Sequence, residues 1–321
     1  MSLIDAERTT FSGAYWALAA VFAFSVNDAV IKFLSDAYPL YQVMFVRSLV
    51  GLLFVVAIIV PLTGTTALLR TKRLKIHLLR GLCVVCANFF FFLALAALPL
   101  ADAVAIFFIS PLLISVFSVV FLGEYVGPRR WVAIAIGLIG VLIVVRPGTT
   151  AFQLASLLPL VAAFGYAFLH ILTRRIGDTE NATAMVFYIQ VSFFMVSTTA
   201  GLAFGHGGFD TFDHPSAVFL LRAWVWPEWG DLGFMMFSGI MTSIGGFMIS
   251  QAYRRSEAAL VAPFEYIALP LSVIFGIVMF AEFPDGAALG GIALILVSGV
   301  VLIWREAAAR RKTMLSTPNR L

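Results

Sequence analysis

Charged side chains are scarce in this sequence. Only 12% of its 321 residues are Asp, Glu, Lys or Arg, whereas 61% are hydrophobic and the mean hydropathy is +1.00. Soluble globular proteins carry about a quarter charged residues, so this composition excludes that class and indicates a lipid environment. The apolar runs are continuous and lack a period of two. Because a membrane leaves no backbone polar group unpaired, these runs predict helices.

Cysteine and histidine are also scarce, which argues against an enzyme. Cys83 and Cys86 form a C-x-x-C inside an apolar run with no further ligand, so we interpret them as packing residues rather than a redox or zinc site. No Gly-rich phosphate loop occurs, which excludes an ATP-driven pump. Of the four histidines, His77, His170, His206 and His214, only the last two share a segment. We therefore predict no catalytic residues, no cofactor and no metal, and disfavour an intramembrane enzyme.

Ten apolar segments are long enough to span a bilayer, for which about 20 helical residues are needed. The sequence thus predicts an all-α polytopic membrane protein. The predicted spans are 13–33, 40–60, 77–97, 101–121, 130–146, 153–172, 183–205, 231–252, 258–281 and 286–304.

The two halves of the chain repeat one another. Asp28 in the first half corresponds to His170 in the second, and Lys32 corresponds to Arg174. An odd number of spans per half forces the second copy into the opposite orientation, so we expect two inverted five-helix repeats. The predicted units are residues 1–150, residues 151–305 and a cytoplasmic tail, 306–321. Such duplications enclose a midplane site and are typical of carriers.

The positions of Lys and Arg predict the orientation. Most of them fall in the loops that share a side with both termini, so we expect both termini in the cytoplasm of a multi-pass inner-membrane protein. This arrangement also accounts for the net charge of +4. Since no soluble module carries a basic surface, we predict no nucleic-acid binding; the expected partners are the lipid bilayer and a small-molecule substrate.

The longest loop, residues 206–230, admits two interpretations. His206, Asp210, Asp213 and His214 are potential metal ligands. We favour an amphipathic segment at 217–225 that lies on the outer surface, with the loop tryptophans in the aromatic belt.

Ionisable residues inside spans are candidate site residues, because a charge at mid-bilayer costs at least about 2.5 kcal/mol. Asp28 and Arg47 lie at equal distances from the turn between the first two spans, so we expect them at equal depth. They either contact substrate or form a structural ion pair. Lys32, one turn from Asp28, is a competitor for that carboxylate. His170 is either a core histidine or a proton-coupling group.

Glu265 gives the strongest polar signal. It lies between Pro263 and Pro270 inside the predicted ninth span. Each proline frees a backbone carbonyl, which a membrane protein tolerates where neighbouring groups or a cavity satisfy it. We therefore expect Glu265 to line a cavity, with an interhelical hydrogen bond as the alternative. Asn88 is a further polar candidate, and aromatic candidates for a planar ligand are Phe92, Phe107, Tyr166 and Tyr266.

Two local patterns carry a resemblance to a known family. The fourth helix of each half ends in similar runs, Phe121-Leu122-Gly123-Glu124 and Phe280-Ala281-Glu282, and Glu265 lies in Ala262-Pro263-Phe264-Glu265-Tyr266. With the duplication, these features resemble the drug/metabolite transporter superfamily, in particular proteins with two EamA domains. The second run departs from the common Gly-Glu ending by having Ala281.

The resemblance implies a bacterial inner-membrane carrier with ten helices, a central cavity and alternating access. The branch with an APFEY-like run is similar to riboflavin importers and S-adenosylmethionine transporters, and Glu265 matches it. We therefore predict a secondary transporter, with riboflavin uptake preferred. The alternatives are S-adenosylmethionine uptake, with Glu265 against the sulfonium, and amino-acid or metabolite efflux, with Arg47 against a carboxylate.

Overall fold

The protein is helical throughout its described residues. The computed structural model describes residues 3–64, 71, 73–123, 128–150, 152–176, 180–209, 211, 213–255 and 264–300. The helices, in chain order, are α1 (Leu3–Ser35), α2 (Leu40–Thr63, with a π turn at Val55–Ile59), α3 (Leu74–Leu95), α4 (Leu100–Phe107), α5 (Ser110–Leu122), α6 (Pro128–Val145), α7 (Leu157–Ile176), α8 (Ala182–Phe204), α9 (Pro215–Leu221), α10 (Trp229–Arg255), α11 (Ala268–Phe280) and α12 (Gly286–Val300).

Length and apolar composition make seven of these helical segments candidate membrane spans, which confirms a polytopic α-helical membrane protein. The seven are Tyr15–Ser35, Leu40–Thr63, Leu74–Leu95, Leu100–Phe121, Leu154–Thr173, Ala182–Phe204 and Trp229–Ala252. Trp131–Val145, Ala268–Phe280 and Gly286–Val300 are apolar but shorter. The predicted ninth span begins at residue 258, and residues 256–263 lie outside the described part of the chain.

Proline interrupts the helices at two related places. A proline clashes with the carbonyl four residues before it, and α4 ends at Phe107, four residues before Pro111. A turn at 108–109 follows, after which α5 begins at Ser110. Likewise a turn at 266–267 stands just before Pro270, and α11 begins at Ala268. Each half therefore contains a helical break at its repeat-equivalent proline.

Helices of the first half pack chiefly against helices of the second half. Helix α1 packs on α10, α2 on α8 and α10, and α3 on α7 and α8. Helices α2 and α10 approach closely because Gly239 has no side chain; a Cβ there would lie 2.5 Å from the Arg47 carbonyl oxygen. The bundle has two ends, which we call the Asp36 end, where α1 joins α2, and the Arg73 end, where α2 joins α3.

Candidate functional site

The two helical breaks face each other in the middle of the bundle. The Phe108 ring, in the first break, lies 5.2 Å from the Tyr266 ring, in the second, measured between centroids. Both side chains are buried, with Tyr266 only 3% exposed. Breaks of this kind leave backbone groups without their helical partners at the interface between halves. Substrate sites of duplicated carriers are typically found at such paired interruptions.

A row of aromatic rings runs from these breaks across α3, α4 and α7. Successive centroids are separated by 5.8 Å from Phe92 to Phe91, 5.0 Å from Phe91 to Phe107, 5.2 Å from Phe107 to Tyr166 and 4.5 Å from Tyr166 to His170. These spacings are those of contacting aromatic side chains. The structure thus places four predicted site residues, Phe92, Phe107, Tyr166 and His170, in one row.

Glu265 joins this row from the side of the second break. It lies in a short helical turn directly before Tyr266 and is partly buried. Its carboxyl group is close enough to the Tyr166 and Tyr266 hydroxyls to interact electrostatically with both. Pro263, the other proline of the predicted kink, lies outside the described residues. Glu265, Tyr166 and Tyr266 therefore share one neighbourhood, in the place where the prediction put a cavity.

Arg47 occupies the other end of the aromatic row. Its guanidinium carbon lies 5.3 Å from the Phe92 centroid and 4.7 Å from the Phe193 centroid, so two rings flank the charge. The residue is 2% exposed. Among the described residues, its Nε has no hydrogen-bond partner. A buried cation with this little protein compensation favours an external polar partner, such as a substrate.

Asp28 and Arg47 do not form the ion pair that was one of the two alternatives for them; within the described residues the two charges interact only at longer range. Asp28 Oδ1 instead accepts a 3.1 Å hydrogen bond from Asn27 Nδ2, and Asn27 Oδ1 accepts one of 2.6 Å from Ser238 Oγ. Equal depth along two helices did not fix which faces of the helices point at each other. Through Asn27, Asp28 is connected to Ser238 on α10, and Asp28 also lines a cleft.

That cleft is a small opening between α1, α4 and α11, with room for about one water molecule. Two serines and one carboxylate give it polar walls, and the remaining lining is apolar. The lining residues are Ser25, Asp28, Leu100, Val104, Ala268 and Ser272. Because Ala268 follows the second break directly, the cleft adjoins the paired breaks.

Asn88 is the predicted residue that the structure leaves apart from this region. Its Nδ2 donates a 2.9 Å hydrogen bond to the Val84 carbonyl, one turn back on its own helix. No contact that the structure describes ties it to Arg47, Asp28 or Glu265. The Asn88 amide therefore hydrogen-bonds to the backbone of its own helix, as Asn side chains inside helices can.

Lys32 does not compete for Asp28, contrary to expectation, but crosses to the second half. Its Nζ lies 2.9 Å from Glu282 Oε1 and donates hydrogen bonds of 3.0 and 2.6 Å to the carbonyls of Leu95 and Leu98. Those carbonyls are at the end of α3, where a helix lacks donors and favours a cation. Lys32 thus binds α3 and the residues after α11 at once.

Glu282 completes this latch, which we define as Lys32, Glu282 and the backbone of Leu100. Its second oxygen, Oε2, accepts a 2.8 Å hydrogen bond from the Leu100 N–H, in the first turn of α4. A carboxylate is favoured there by the unpaired N–H groups of a helix start. Since Leu100 also lines the cleft, the latch adjoins the cleft.

A loop covers the same end of the bundle. Gln42 pairs with Val225 in both directions, donating 2.5 Å to its carbonyl and accepting 3.2 Å from its N–H. Tyr41 Oη donates 2.7 Å to the Arg222 carbonyl, and Tyr38 Oη donates 2.7 Å to Asp231. Desolvation and the bond to Asp231 raise the pKa of Tyr38. Residues 222–228 are therefore held against the start of α2 by side-chain bonds.

The loop histidines serve their own backbone. Nδ1 of His206 accepts from the Gly208 N–H at 3.0 Å, and Nδ1 of His214 accepts from the Ser216 N–H at 3.3 Å, capping α9. The surface helix runs from Pro215 to Leu221, so it begins two residues before the predicted segment and ends four residues before that segment's end. Asp210 lies outside the described residues.

A second ion pair at this end is exposed. Arg146 donates to the Asp285 carboxylate, joining the end of α6 to the start of α12, and the two side chains are 26% and 58% exposed. The hydrogen bond from Arg146 lowers the pKa of Asp285 to about 2. Asp285 therefore stays ionised between pH 5 and 8.

The sequence of this chain is similar to a known family and to named transporters. Residues 11–146 match the EamA-like transporter family. The chain is 29% identical over 306 residues to a riboflavin transporter of Vibrio cholerae, a match that covers 94% of this chain and 96% of that protein. It is 27% identical over 308 residues to an S-adenosylmethionine uptake transporter of Rickettsia bellii, covering 96% and 99%.

The fold is also shared with a protein of known crystal structure. The two superpose with a TM-score of 0.66 at 21% sequence identity, over 95% of this chain and 99% of the other. The similarity therefore extends through both halves, beyond the residues that match the family.

Proposed function

We propose that the chain is an EamA-type transporter of the drug/metabolite transporter superfamily and that it takes up riboflavin by alternating access. It is a multi-pass protein of the bacterial inner membrane. The substrate site lies between the two helical breaks and Arg47, and opens towards the cleft at Asp28.

The observation that carries this proposal is the aromatic row that joins the breaks to Arg47. The isoalloxazine of riboflavin is flat, uncharged and rich in hydrogen-bond acceptors. Rings such as Phe107 and Tyr166 suit its faces. The guanidinium of Arg47, flanked by two phenylalanines, presents donors at its edge. The riboflavin transporter of V. cholerae aligns over nearly the whole chain, which supports the same choice.

The architecture that accompanies this function is two inverted five-helix repeats, residues 1–150 and 151–305, with a tail at 306–321 and ten spans in all. The similar breaks before Pro111 and Pro270 support the duplication. The distribution of Lys and Arg supports cytoplasmic termini, which makes the Asp36 end the outer end. Alternating access then consists of rocking one half against the other about the breaks.

Counterflow in proteoliposomes tests the substrate. Vesicles that contain purified protein and unlabelled riboflavin are expected to accumulate labelled riboflavin from outside, because exchange needs only the carrier. Parallel vesicles receive S-adenosylmethionine or an amino-acid mixture. Riboflavin exchange equal to that of protein-free vesicles, with exchange of another substrate intact, contradicts the riboflavin assignment.

S-adenosylmethionine is the second candidate, and Glu265 is the observation that favours it. A carboxylate near two tyrosines suits a sulfonium, since rings and an anion both attract a cation. The R. bellii protein, which aligns with 96% of this chain, is named as an S-adenosylmethionine uptake transporter. If this candidate is right, only S-adenosylmethionine undergoes counterflow.

Replacing Glu265 by Gln is expected to reduce counterflow by about tenfold or more, because a hydrogen bond to a charged group contributes roughly 1.5–3 kcal/mol. Protein in the membrane fraction should be unchanged. The matched control is Glu228→Gln, the same chemical change at an exposed loop position. Full activity of the Glu265 variant would remove this residue from the site.

A further inference from the structure

A second buried group of ionisable side chains lies at the Arg73 end of the bundle and shares no residue with the proposed substrate site. We call it the His77 cluster: His77 and Arg80 on α3, Thr173 on α7, and Thr71 and Glu180 before α3 and α8. His77 Nε2 lies 3.2 Å from Glu180 Oε2, and Thr71 Oγ1 donates 2.8 Å to Glu180 Oε1. Arg80 Nε donates 3.0 Å to Thr173 Oγ1. The cluster therefore joins the two halves.

The cluster is removed from solvent. His77 is 1% exposed and Arg80 4%, and the Glu180 side chain is 7% exposed. The His77 ring also packs on the Tyr188 ring of α8, with centroids 4.7 Å apart. Burying three ionisable groups is costly, and an apolar contact would join the same helices at less cost. A cluster that only fastened helices would also have no need of a histidine.

The contacts of His77 distinguish its two protonation states. Nδ1 lies 3.5 Å from Arg80 Nη1. A guanidinium can only donate, so Nδ1 must accept, and the ring proton is assigned to Nε2, towards Glu180. Neutral His77 thus accepts at Nδ1 from Arg80 and has its Nε2 3.2 Å from Glu180, although that contact lacks hydrogen-bond geometry. A second proton, on Nδ1, sets donor against donor at Arg80 while it strengthens the attraction to Glu180.

We propose that the His77 cluster binds the coupling proton of the carrier, which moves in the same direction as the substrate. The proposal rests on the proposed transport function. Protonation at Nδ1 displaces Arg80 and pulls His77 towards Glu180, which shifts α3 against α7 and α8. Because transport rocks the halves that these contacts join, proton affinity differs between the two states of the carrier. Linkage then requires that proton binding bias those states.

The charged and titratable neighbours of His77 are few in the described residues. Arg80 and Cys83 share α3, Glu180 faces the ring from before α8, and Tyr188 faces it from α8. From α7 only the Thr173 hydroxyl is described in contact. Histidine is the side chain that ordinarily changes charge between pH 5 and 8.

Two measurements on the same proteoliposomes test the coupling. Riboflavin uptake is driven by an imposed pH gradient, acid outside, and counterflow is measured at equal pH with a protonophore. For one proton per substrate, a gradient of one pH unit raises accumulation up to about tenfold. His77→Gln retains a donor for Glu180 but cannot be protonated, so it should lose the response to the gradient and keep counterflow. His206→Gln, at an exposed loop histidine, should keep both.

A further measurement follows the pH inside the vesicles with an internal dye. In wild-type vesicles it detects whether the substrate brings protons into the lumen. Acidification is expected on addition of riboflavin and should be absent in Glu180→Gln, which removes the partner of the protonated ring. No acidification in the wild type, or a gradient response in His77→Gln equal to wild type, overturns the proton site. Absence of counterflow in the wild type contradicts the riboflavin proposal instead, so the two failures are distinguishable.

Discussion

Replacing Arg47 by Met is expected to abolish riboflavin counterflow and to leave the protein folded. Arg47 is 2% exposed and has no ion pair within the described residues, so methionine removes only the contacts of the guanidinium with the Phe92 and Phe193 rings. The methionine stem can fill the space between Phe92 and Phe193, both of which are buried. Replacing a buried charge by an apolar side chain of similar shape is often neutral or stabilising. The thermal midpoint in detergent should therefore be unchanged or higher.

The loss of transport should be large because the guanidinium is desolvated. Truncating one partner of a buried charged hydrogen bond costs roughly 2–5 kcal/mol of binding, which corresponds to about 30-fold or more in affinity. Counterflow and equilibrium binding of riboflavin, measured on the same purified sample, check this expectation. Arg47→Lys, which keeps the charge but not the planar fork, should retain weak binding.

Arg222→Met is the matched control. Arg222 Nη1 donates 2.7 Å to the Asp36 carbonyl, so its loss loosens the covering loop but leaves the proposed site intact. That variant should exchange riboflavin at nearly the wild-type rate. Wild-type counterflow in Arg47→Met would show that this cation is structural. A midpoint lowered by several degrees in Arg47→Met would lead to the same conclusion.

The local features of the fold followed from the sequence because they depend on neighbouring residues. Hydropathy gave the apolar helices, since spanning the bilayer needs a continuous run. Proline chemistry predicted interrupted backbone near Pro270, where the turn at 266–267 stands. The predicted fourth span ran unbroken over 101–121, whereas α4 ends four residues before Pro111. The structure places Glu265 near Tyr166 and Tyr266, which the sequence named only as separate candidates.

Contacts between the halves were harder to predict. Depth along two helices placed Asp28 level with Arg47, but rotation about each helix axis decides contact, and Asp28 bonds to Asn27 instead. Lys32 was paired with its own helix, whereas it crosses to Glu282. Sequence distance alone contains no information on which faces of α1, α3 and α11 meet.

The sequence repeat contains an indication of the ion pair between Lys32 and Glu282. A base stands at the equivalent positions 32 and 174, and an acid at positions 124 and 282, near the ends of the fourth and ninth predicted spans. If the two halves are related by a twofold axis, as proposed, a position of one half lies near the complementary position of the other. Glu124 and the Arg174 side chain lie outside the described residues, so only the contact between Lys32 and Glu282 is described.

Replacing Lys32 by Met is expected to cause the largest loss of stability of any substitution at the Asp36 end. It removes the ion pair to Glu282 and two hydrogen bonds to α3 carbonyls in one step. Breaking a fully buried pair costs about 3–5 kcal/mol. Glu282 is 25% exposed and Lys32 11%, so we expect a smaller loss, about 2 kcal/mol. Thermal unfolding in detergent, followed by size-exclusion fluorescence, measures the shift.

A double-mutant cycle tests whether Lys32 and Glu282 stabilise the bundle jointly or independently. Glu282→Gln keeps an acceptor for the Leu100 N–H, so it should destabilise less than Lys32→Met. The double variant should be no less stable than Lys32→Met alone, since residues in one network are not additive. The control cycle uses Arg146→Met and Asp285→Asn, an exposed pair at the same end, for which surface ion pairs predict almost no shift. If the Lys32 and Glu282 effects simply add, the two side chains stabilise the bundle independently and do not act as a shared latch.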